Sequence, residues 1–161
     1  MALNKTLARP GVVDRVTFKF VPSPDVRSPD NLTCVEPAPE CECDAVEACA
    51  LKHAGCFGGC SGAASSALIR FLSCFEGTDK ESSCAPAKWT ACAAGAGLDV
   101  GAIEACRGNA TEVASIQKPL AQVSVGIGIY PTVHLDGKNI WALTDAGLAK
   151  DLCAAGVKSA C

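Results

Sequence analysis

Twelve cysteines in a chain of 161 residues are the feature that most constrains how this protein folds. They are Cys34, Cys41, Cys43, Cys49, Cys56, Cys60, Cys74, Cys84, Cys92, Cys106, Cys153 and Cys161. An even number at this density is typical of a disulfide framework formed in an oxidising compartment. Three Asn-x-Ser/Thr sequons, at Asn4, Asn31 and Asn109, offer acceptors for N-linked glycans in the same compartment. We therefore expect a glycoprotein of the secretory pathway.

The composition is that of a globular protein, with 49% hydrophobic and 19% charged residues. A chain of this length can bury a core as a single domain. The net charge of −3 disfavours nucleic acid, which needs a concentrated basic surface. No run of apolar residues is long enough to span a bilayer. The first residues, MALNKTLARPGVVDRV, lack the regions of a signal peptide, so we expect that sequence upstream is missing.

The N-terminal part of the chain predicts the end of a helix, one strand and a long loop. Residues 2–8 are typical of the tail of a helix. Arg15 to Val21 alternates between apolar and polar residues, which predicts a strand. A proline-rich loop is predicted from Pro22 to about Glu40.

A block of cysteine-bearing helices is predicted next, over about 45–54, 63–74, 85–94, 99–107 and 111–118. Their predicted N-terminal caps are Asp44 (with Glu47 completing a capping box), Ser83, Asp99 and Thr111. Pro119 is predicted to end the fifth helix.

The hydrophobic period then changes from that of helices to that of strands. Odd-numbered apolar residues from Val123 to Leu135 predict extended structure, interrupted at Tyr130-Pro131. Asp136-Gly137 predicts a two-residue hairpin turn, with Asn139 to Leu143 as the returning strand. His134 lies on the even-numbered face, which we expect to be exposed. A last helix, capped by Thr144, is predicted over about 145–154.

The segment Tyr130-Pro131-Thr132-Val133 resembles the proline-containing strand entrance of thioredoxin-like folds. In that superfamily a cis-proline lies beside the redox cysteines, and its neighbours contact substrate. An edge strand that simply tolerates a proline is the alternative interpretation.

A second motif is the spacing Cys34-x6-Cys41-x7-Cys49, with Glu40 before the second cysteine. It resembles the signature Cys-Gln-His-Gly-x2-Glu-Cys-x2-Asn-x4-Cys of the gamma-interferon-inducible lysosomal thiol reductase family. The sequence departs from that signature in two places. Val35-Glu36-Pro37 replaces Gln-His-Gly, and Asp44 replaces the asparagine.

The resemblance implies an α/β, thioredoxin-like fold in one partial domain over residues 1–161. A helical, disulfide-rich insertion is then expected over about 41–118. The resemblance also implies a lysosomal or secreted protein disulfide reductase that uses no cofactor and no metal. Its partners would be disulfide-containing proteins, with Tyr130, Pro131 and Thr132 contacting the substrate.

The Cys-x-x-C pair that such a reductase needs is absent from the sequence. In that motif the first thiol is activated at a helix N-terminus, and the second lies one turn away to resolve the mixed disulfide. The nearest spacings are Cys41-x-Cys43 and Cys56-x3-Cys60. We therefore expect a truncated family member that lacks the first strand and catalytic residues. A non-enzymatic, disulfide-stapled secreted binding module is the alternative.

Two disulfides are proposed from the sequence. Cys153 and Cys161 flank Gly156 and are predicted to pair. Cys56 and Cys60 are expected to form a structural disulfide, with a secondary redox pair as the alternative. A zinc cluster of His53 with Cys49, Cys56 and either Cys41 or Cys43 is disfavoured in a cysteine-rich chain that carries sequons, so no metal is expected.

Overall fold

The computed structural model describes residues 4–7, 9, 11–22, 24, 26–35, 37–75, 84–125, 133–140 and 144–161. Their helices are α1 (Asn4–Leu7), α2 (Ala38–His53), α3 (Gly62–Phe75), α4 (Pro86–Ala96), α5 (Val100–Arg107), α6 (Ala110–Ser124) and α7 (Asp145–Ala154), followed by a 3₁₀ turn, Lys158–Ala160. The strands are β1 (Val26–Ser28), β2 (Asn31–Cys34), β3 (Val133–Leu135) and β4 (Lys138–Ile140). The protein is therefore mixed α/β and mostly helical over these residues. No helix among them is long and apolar enough to cross a bilayer.

Helices α2 to α6 enclose the main hydrophobic core. The helix α3 buries Leu68, Phe71, Leu72 and Phe75 on one face, and the Phe71 and Phe75 rings stack 5.2 Å apart. This face packs against α4, whose Trp89 is fully buried. Helix α2 packs in turn against α5 and α6.

Side-chain caps fix where three of the helices begin. The Asp99 carboxylate accepts a hydrogen bond from the Ala102 N–H at 3.0 Å, as the sequence predicts for α5. The hydroxyl of Thr144 accepts one from the Gly147 N–H at 3.1 Å and caps α7, also as predicted. The prediction for α6 is wrong: Asn109, not Thr111, is its cap.

Helix α2 begins earlier than the sequence predicts. It starts at Ala38, directly after Pro37, so Asp44 lies inside the helix and does not cap it. Prolines suit this end, because the first turn of a helix leaves its N–H groups without helical partners. The predicted proline loop is also wrong in part, since β1 and β2 pair within it as an antiparallel hairpin.

Helix α6 continues through Pro119 to Ser124, so the prediction that it ends before the proline is wrong. Proline removes one backbone donor, but Ile116 and Leu120 on either side are buried in the core. That burial offsets the lost hydrogen bond. The apolar alternation that begins at Val123 therefore does not start a strand there: Val123 is the penultimate residue of α6 and is 47% exposed.

The predicted strand from Arg15 to Val21 is reduced to a single bridge. The side chains of this segment still alternate between partly buried and exposed positions. The partly buried ones are Val16, Phe18 and Phe20, and the exposed ones between them are Thr17 and Lys19. Phe18 exchanges backbone hydrogen bonds of 2.7 and 2.8 Å with Cys60, and the segment forms no other bridge with the described residues. Within the described residues it joins no larger sheet, so a thioredoxin-like sheet stays a prediction.

The hairpin of β3 and β4 is confirmed. The two strands pair from Val133 opposite Ile140 to Leu135 opposite Lys138. Both turn residues have positive φ, 49° at Asp136 and 76° at Gly137, as a type I′ turn requires. His134 is exposed, as predicted. Residues 126–132 and 141–143 lie outside the described residues.

A smaller apolar cluster lies apart from the main core. It buries residues of α1, of the turn after it, of α7 and of the C-terminal 3₁₀ turn: Leu7, Val12, Leu148, Leu152 and Ala160. Ile69 of α3 and Phe18 pack against it from the side of the main helices. The two ends of the described chain therefore meet beside the helical block.

Replacing Phe71, one of the two buried aromatic side chains of α3, tests this core. Phe71→Ala should lower the free energy of unfolding by about 3–5 kcal/mol, because it leaves a cavity beside Phe75. Phe57→Ala is the matched control: Phe57 is 46% exposed, so its loss should change stability by no more than about 0.5 kcal/mol. Denaturant unfolding with the disulfides intact measures both, and equal effects would contradict this packing.

Candidate functional site

Helix α2 and its C-terminal end carry four of the twelve cysteines, and each of the four is bridged to a different segment. The bridges are Cys34–Cys41, Cys43–Cys84, Cys49–Cys106 and Cys56–Cys60. Two further disulfides lie elsewhere, Cys74–Cys92 between α3 and α4 and Cys153–Cys161 between α7 and the last residue. Helix α2 itself holds Cys41, Cys43 and Cys49, so three of the six disulfides pass through it.

The signature segment links the β1–β2 hairpin to the start of α2. Cys34 ends β2 and is bonded to Cys41, with 6.0 Å between their Cα atoms. Glu40 lies in the first turn of α2, where a carboxylate interacts favourably with the helix dipole. The third signature cysteine, Cys49, is fully buried and bonded to Cys106 of α5. All three signature cysteines are therefore structural in this conformation.

An arginine supports the same α2–α5 contact from the outside. The Arg107 guanidinium lies 2.7 Å from a Glu104 carboxylate oxygen and 2.9 Å from one of Glu42. Its hydrogen bond to Glu104 lowers the pKa of that carboxyl. The guanidinium also lies 5.6 Å from the ring centroid of Trp89, within the range of a cation–π contact.

A second polar cluster lies beside the Cys49–Cys106 bridge. The Lys52 ammonium is 2.8 Å from a Glu112 carboxylate oxygen, and Nε2 of His53 is 3.8 Å from the same atom. The hydrogen bond from Lys52 lowers the pKa of Glu112. One donor atom each of His53, Cys106 and Glu112 lies within 4.8 Å of the others.

This cluster differs from the zinc cluster that the sequence disfavours. That cluster combined His53 with Cys49 and Cys56, whereas the structure groups His53 with Cys106 and Glu112 from other helices. One signal was available, because Cys49 and His53 are four residues apart on α2 and so share a helix face. The contribution of Cys106 and Glu112 depends on tertiary packing, which no local spacing encodes.

The cysteines all lie among the described residues, and none has a free thiol. Cys56 is bonded to Cys60, and both are buried, with 0% and 9% of their surfaces exposed. Cys153 is bonded to Cys161, as the sequence predicts. In this oxidised form no cysteine can act as a nucleophile, because the thiolate is the reactive species.

The remaining residues singled out in the sequence fall in different places. Asn31 and Asn109 are exposed, and the side-chain oxygen of each accepts a backbone hydrogen bond, from Thr33 and Glu112 respectively. Asn4 is the first residue of α1. Tyr130, Pro131 and Thr132 lie outside the described residues.

The family model for gamma interferon inducible lysosomal thiol reductase (GILT) matches residues 1–96, more than half of the chain. The chain belongs to the GILT family. The matched residues include the signature cysteines, the β1–β2 hairpin and helices α2, α3 and α4. Comparisons with curated proteins and with solved structures found no match. The protein is thus a member of a thiol reductase family that is described as lysosomal.

The stability that is lost when one disulfide is removed should increase with the length of chain that the disulfide closes. Cys49 and Cys106 are 57 positions apart, whereas Cys56 and Cys60 are 4 apart. From loop-closure entropy, replacing the first pair by alanine should lower the free energy of unfolding by about 3–4 kcal/mol. This is less than a free loop of that length would give, because other bridges already shorten the loop. Loop-closure entropy gives about 2 kcal/mol for the second pair. Denaturant unfolding of the two double variants checks this order, and the reverse order would contradict it.

The ion pair at Glu112 predicts a shift in that carboxyl's titration. Because the pKa of Glu112 is lower in the folded state than in the unfolded state, its ionised form stabilises the fold at pH values above the unfolded pKa. This stabilisation is lost as the pH falls through the folded-state pKa. Lys52→Ala should raise the pKa of Glu112, as followed by NMR titration of its side-chain carbon. Lys118→Ala, which removes a pairing with Asp30 at 3.5 Å, should leave Glu112 unchanged. Equal effects of both substitutions would show that Lys52 is not the cause.

Proposed function

We propose that this GILT-family chain, with its six disulfides intact, binds disulfide-containing protein substrates but does not itself reduce them. Membership of the GILT family supports disulfide-containing substrates, and the pairing of all twelve cysteines carries the absence of reduction. Reduction of a disulfide by thiol exchange begins with attack by a thiolate and ends when a second thiol resolves the mixed disulfide. This chain presents neither thiol in its oxidised form.

The Cys56–Cys60 bridge is the closest local substitute for a redox pair, and its surroundings argue against that role. The Cys56 residue is fully buried, and Cys60 is held by two backbone hydrogen bonds to Phe18. A catalytic cysteine needs access to its substrate and a setting that stabilises its thiolate. We assign this pair a structural role.

The substrate contact is proposed for Tyr130, Pro131 and Thr132, directly before β3. The confirmed β3–β4 hairpin supports this assignment, because the family resemblance places the substrate-contacting proline at the entrance of that strand. We also propose a thioredoxin-like arrangement for the whole domain, with the helical block as an insertion. The block of packed helices α2 to α6 supports that division.

We propose that the protein works in the lysosome or outside the cell and carries glycans at its sequons. The lysosomal description of the family supports the first location. Six disulfides are stable in oxidising compartments and rare in the cytosol. Exposure of Asn31 and Asn109 supports their use as glycan acceptors.

A non-enzymatic binding module with no preference for disulfides is the second candidate. Complete pairing of the cysteines favours it as much as the first, since neither candidate needs a thiol. The two differ in whether the ligand must contain a disulfide, which a binding measurement can resolve.

One experiment with two measurements tests the proposal. The oxidised chain is added to insulin and a small dithiol, and insulin precipitation should proceed at the rate of the dithiol alone. Binding of a peptide with an internal disulfide is then compared by surface plasmon resonance with binding of its reduced, alkylated form. The disulfide form should bind more tightly, and Pro131→Ala should weaken it about tenfold, equivalent to 1.4 kcal/mol.

Matched variants separate the outcomes. Pro39→Ala changes an exposed proline of α2 and should leave peptide binding unchanged. Faster insulin reduction that disappears in Cys56→Ala/Cys60→Ala would overturn the absence of redox activity and identify the pair responsible. Equal binding of both peptide forms would favour the second candidate, and no binding of either would overturn the first.

A further inference from the structure

The surroundings of the Cys49–Cys106 disulfide contain the donor atoms of a metal site. Nitrogen of His53, sulfur of Cys106 and a carboxylate oxygen of Glu112 lie within 4.8 Å of one another. Cys49 adds a fourth donor, because its sulfur is bonded directly to that of Cys106. Imidazole, thiolate and carboxylate are the ligands that zinc takes in proteins.

The donors come from three helices that pack together. Cys49 and His53 are one turn apart on α2, Cys106 lies near the end of α5, and Glu112 is in the first turn of α6. Both cysteines are fully buried, whereas the side chains of His53 and Glu112 are each 27% exposed. The cluster therefore extends from the core to the surface, and its outer side is open to an ion from solvent.

The disulfide keeps this set from acting as a metal site. A disulfide sulfur is a poor ligand, and zinc binds the thiolate. Glu112 is also held by Lys52 at 2.8 Å, but Lys52 is exposed and can move into solvent. The redox state of one bridge thus decides whether two strong ligands are present.

We infer that reduction of the Cys49–Cys106 disulfide creates a binding site for a divalent zinc-type cation, formed by Cys49, Cys106, His53 and Glu112. The reductant is a small dithiol, which gives two electrons and two protons to the bridge and leaves as its own disulfide. The cation then displaces the protons of the two new thiols and binds the thiolates.

The movements required are small. Tetrahedral zinc with sulfur ligands at about 2.3 Å and nitrogen or oxygen ligands near 2.0 Å separates its donors by roughly 3.3–3.8 Å. The three donors, at no more than 4.8 Å from one another, lie at most about 1–1.5 Å outside this range. The metal would then join α2, α5 and α6, and so replace the covalent link between the first two helices. This inference does not depend on whether the chain has reductase activity.

The Cys56–Cys60 bridge provides an internal comparison. It also places two buried sulfurs side by side, yet neither residue belongs to a metal-type cluster among the described residues. Reduction of this pair should give thiols without the histidine and carboxylate needed to complete a site.

The first test uses a variant that releases one thiol without any reductant. Cys49→Ser frees Cys106 while the other five disulfides can remain. Addition of Co²⁺ should produce the near-ultraviolet absorption of a thiolate–cobalt bond, which the oxidised wild-type chain should lack. Adding His53→Ala or Glu112→Gln should weaken Co²⁺ binding about tenfold or more. Adding Glu104→Gln, which changes a carboxylate outside the cluster, should leave Co²⁺ binding unchanged.

The second test keeps the wild-type chain and so does not depend on the folding of a variant. The chain is partly reduced with a dithiol, the dithiol is removed, and thiols are alkylated with and without Zn²⁺. Mass spectrometry of the peptides should show that Zn²⁺ slows alkylation of Cys49 and Cys106 about tenfold or more. Alkylation of Cys56 and Cys60 should be unaffected. The inference would be overturned if Zn²⁺ protected both pairs equally or neither pair. It would also be overturned if His53→Ala left Co²⁺ binding unchanged.

Discussion

The buried bridge between Cys49 and Cys106 is the constraint on which the helical block most depends. It fixes α2 against α5 in the middle of the core, where both sulfurs are shielded from solvent. Around it, Arg107 connects Glu42 of α2 with Glu104 of α5 at the surface. Exposed ion pairs contribute little to stability by themselves. The covalent link and the apolar contacts therefore set the geometry, and the charged groups follow it.

Much of the local structure could be predicted from the sequence because local rules determine it. The starts of α5 and α7 follow from their capping residues, Asp99 and Thr144, and the β3–β4 turn follows from Asp136-Gly137. The cap predicted for α4, Ser83, was wrong, because Ala85 precedes that helix without a side-chain cap. Errors occurred where two local signals competed. Asp44 is a good cap, but the prolines upstream suit a helix start equally well, and only packing favours the earlier one. Pro119 normally ends a helix, but burial on both sides keeps this one intact.

The candidate site was less accessible to sequence reasoning. The signature spacing pointed to the GILT family, which the family match establishes. Spacing alone could not pair Cys34 with Cys41 or Cys49 with Cys106, because disulfide connectivity depends on which helices become neighbours. For the same reason the approach of Glu112 to His53 could not be predicted. The family assignment and the full pairing of cysteines together describe a reductase-family scaffold whose sulfur atoms hold the fold together.

Asn109 illustrates how one side chain can serve two purposes through different atoms. Its oxygen caps α6 by accepting the hydrogen bond from Glu112, while a glycan would be attached through its nitrogen. Attachment leaves the amide oxygen in place, so capping and glycosylation do not compete for the same atom. If the helix start alone mattered, aspartate or serine would serve equally well at this position. A requirement for both would permit only asparagine, so the variation tolerated at this one position would distinguish a helix cap from a glycan acceptor.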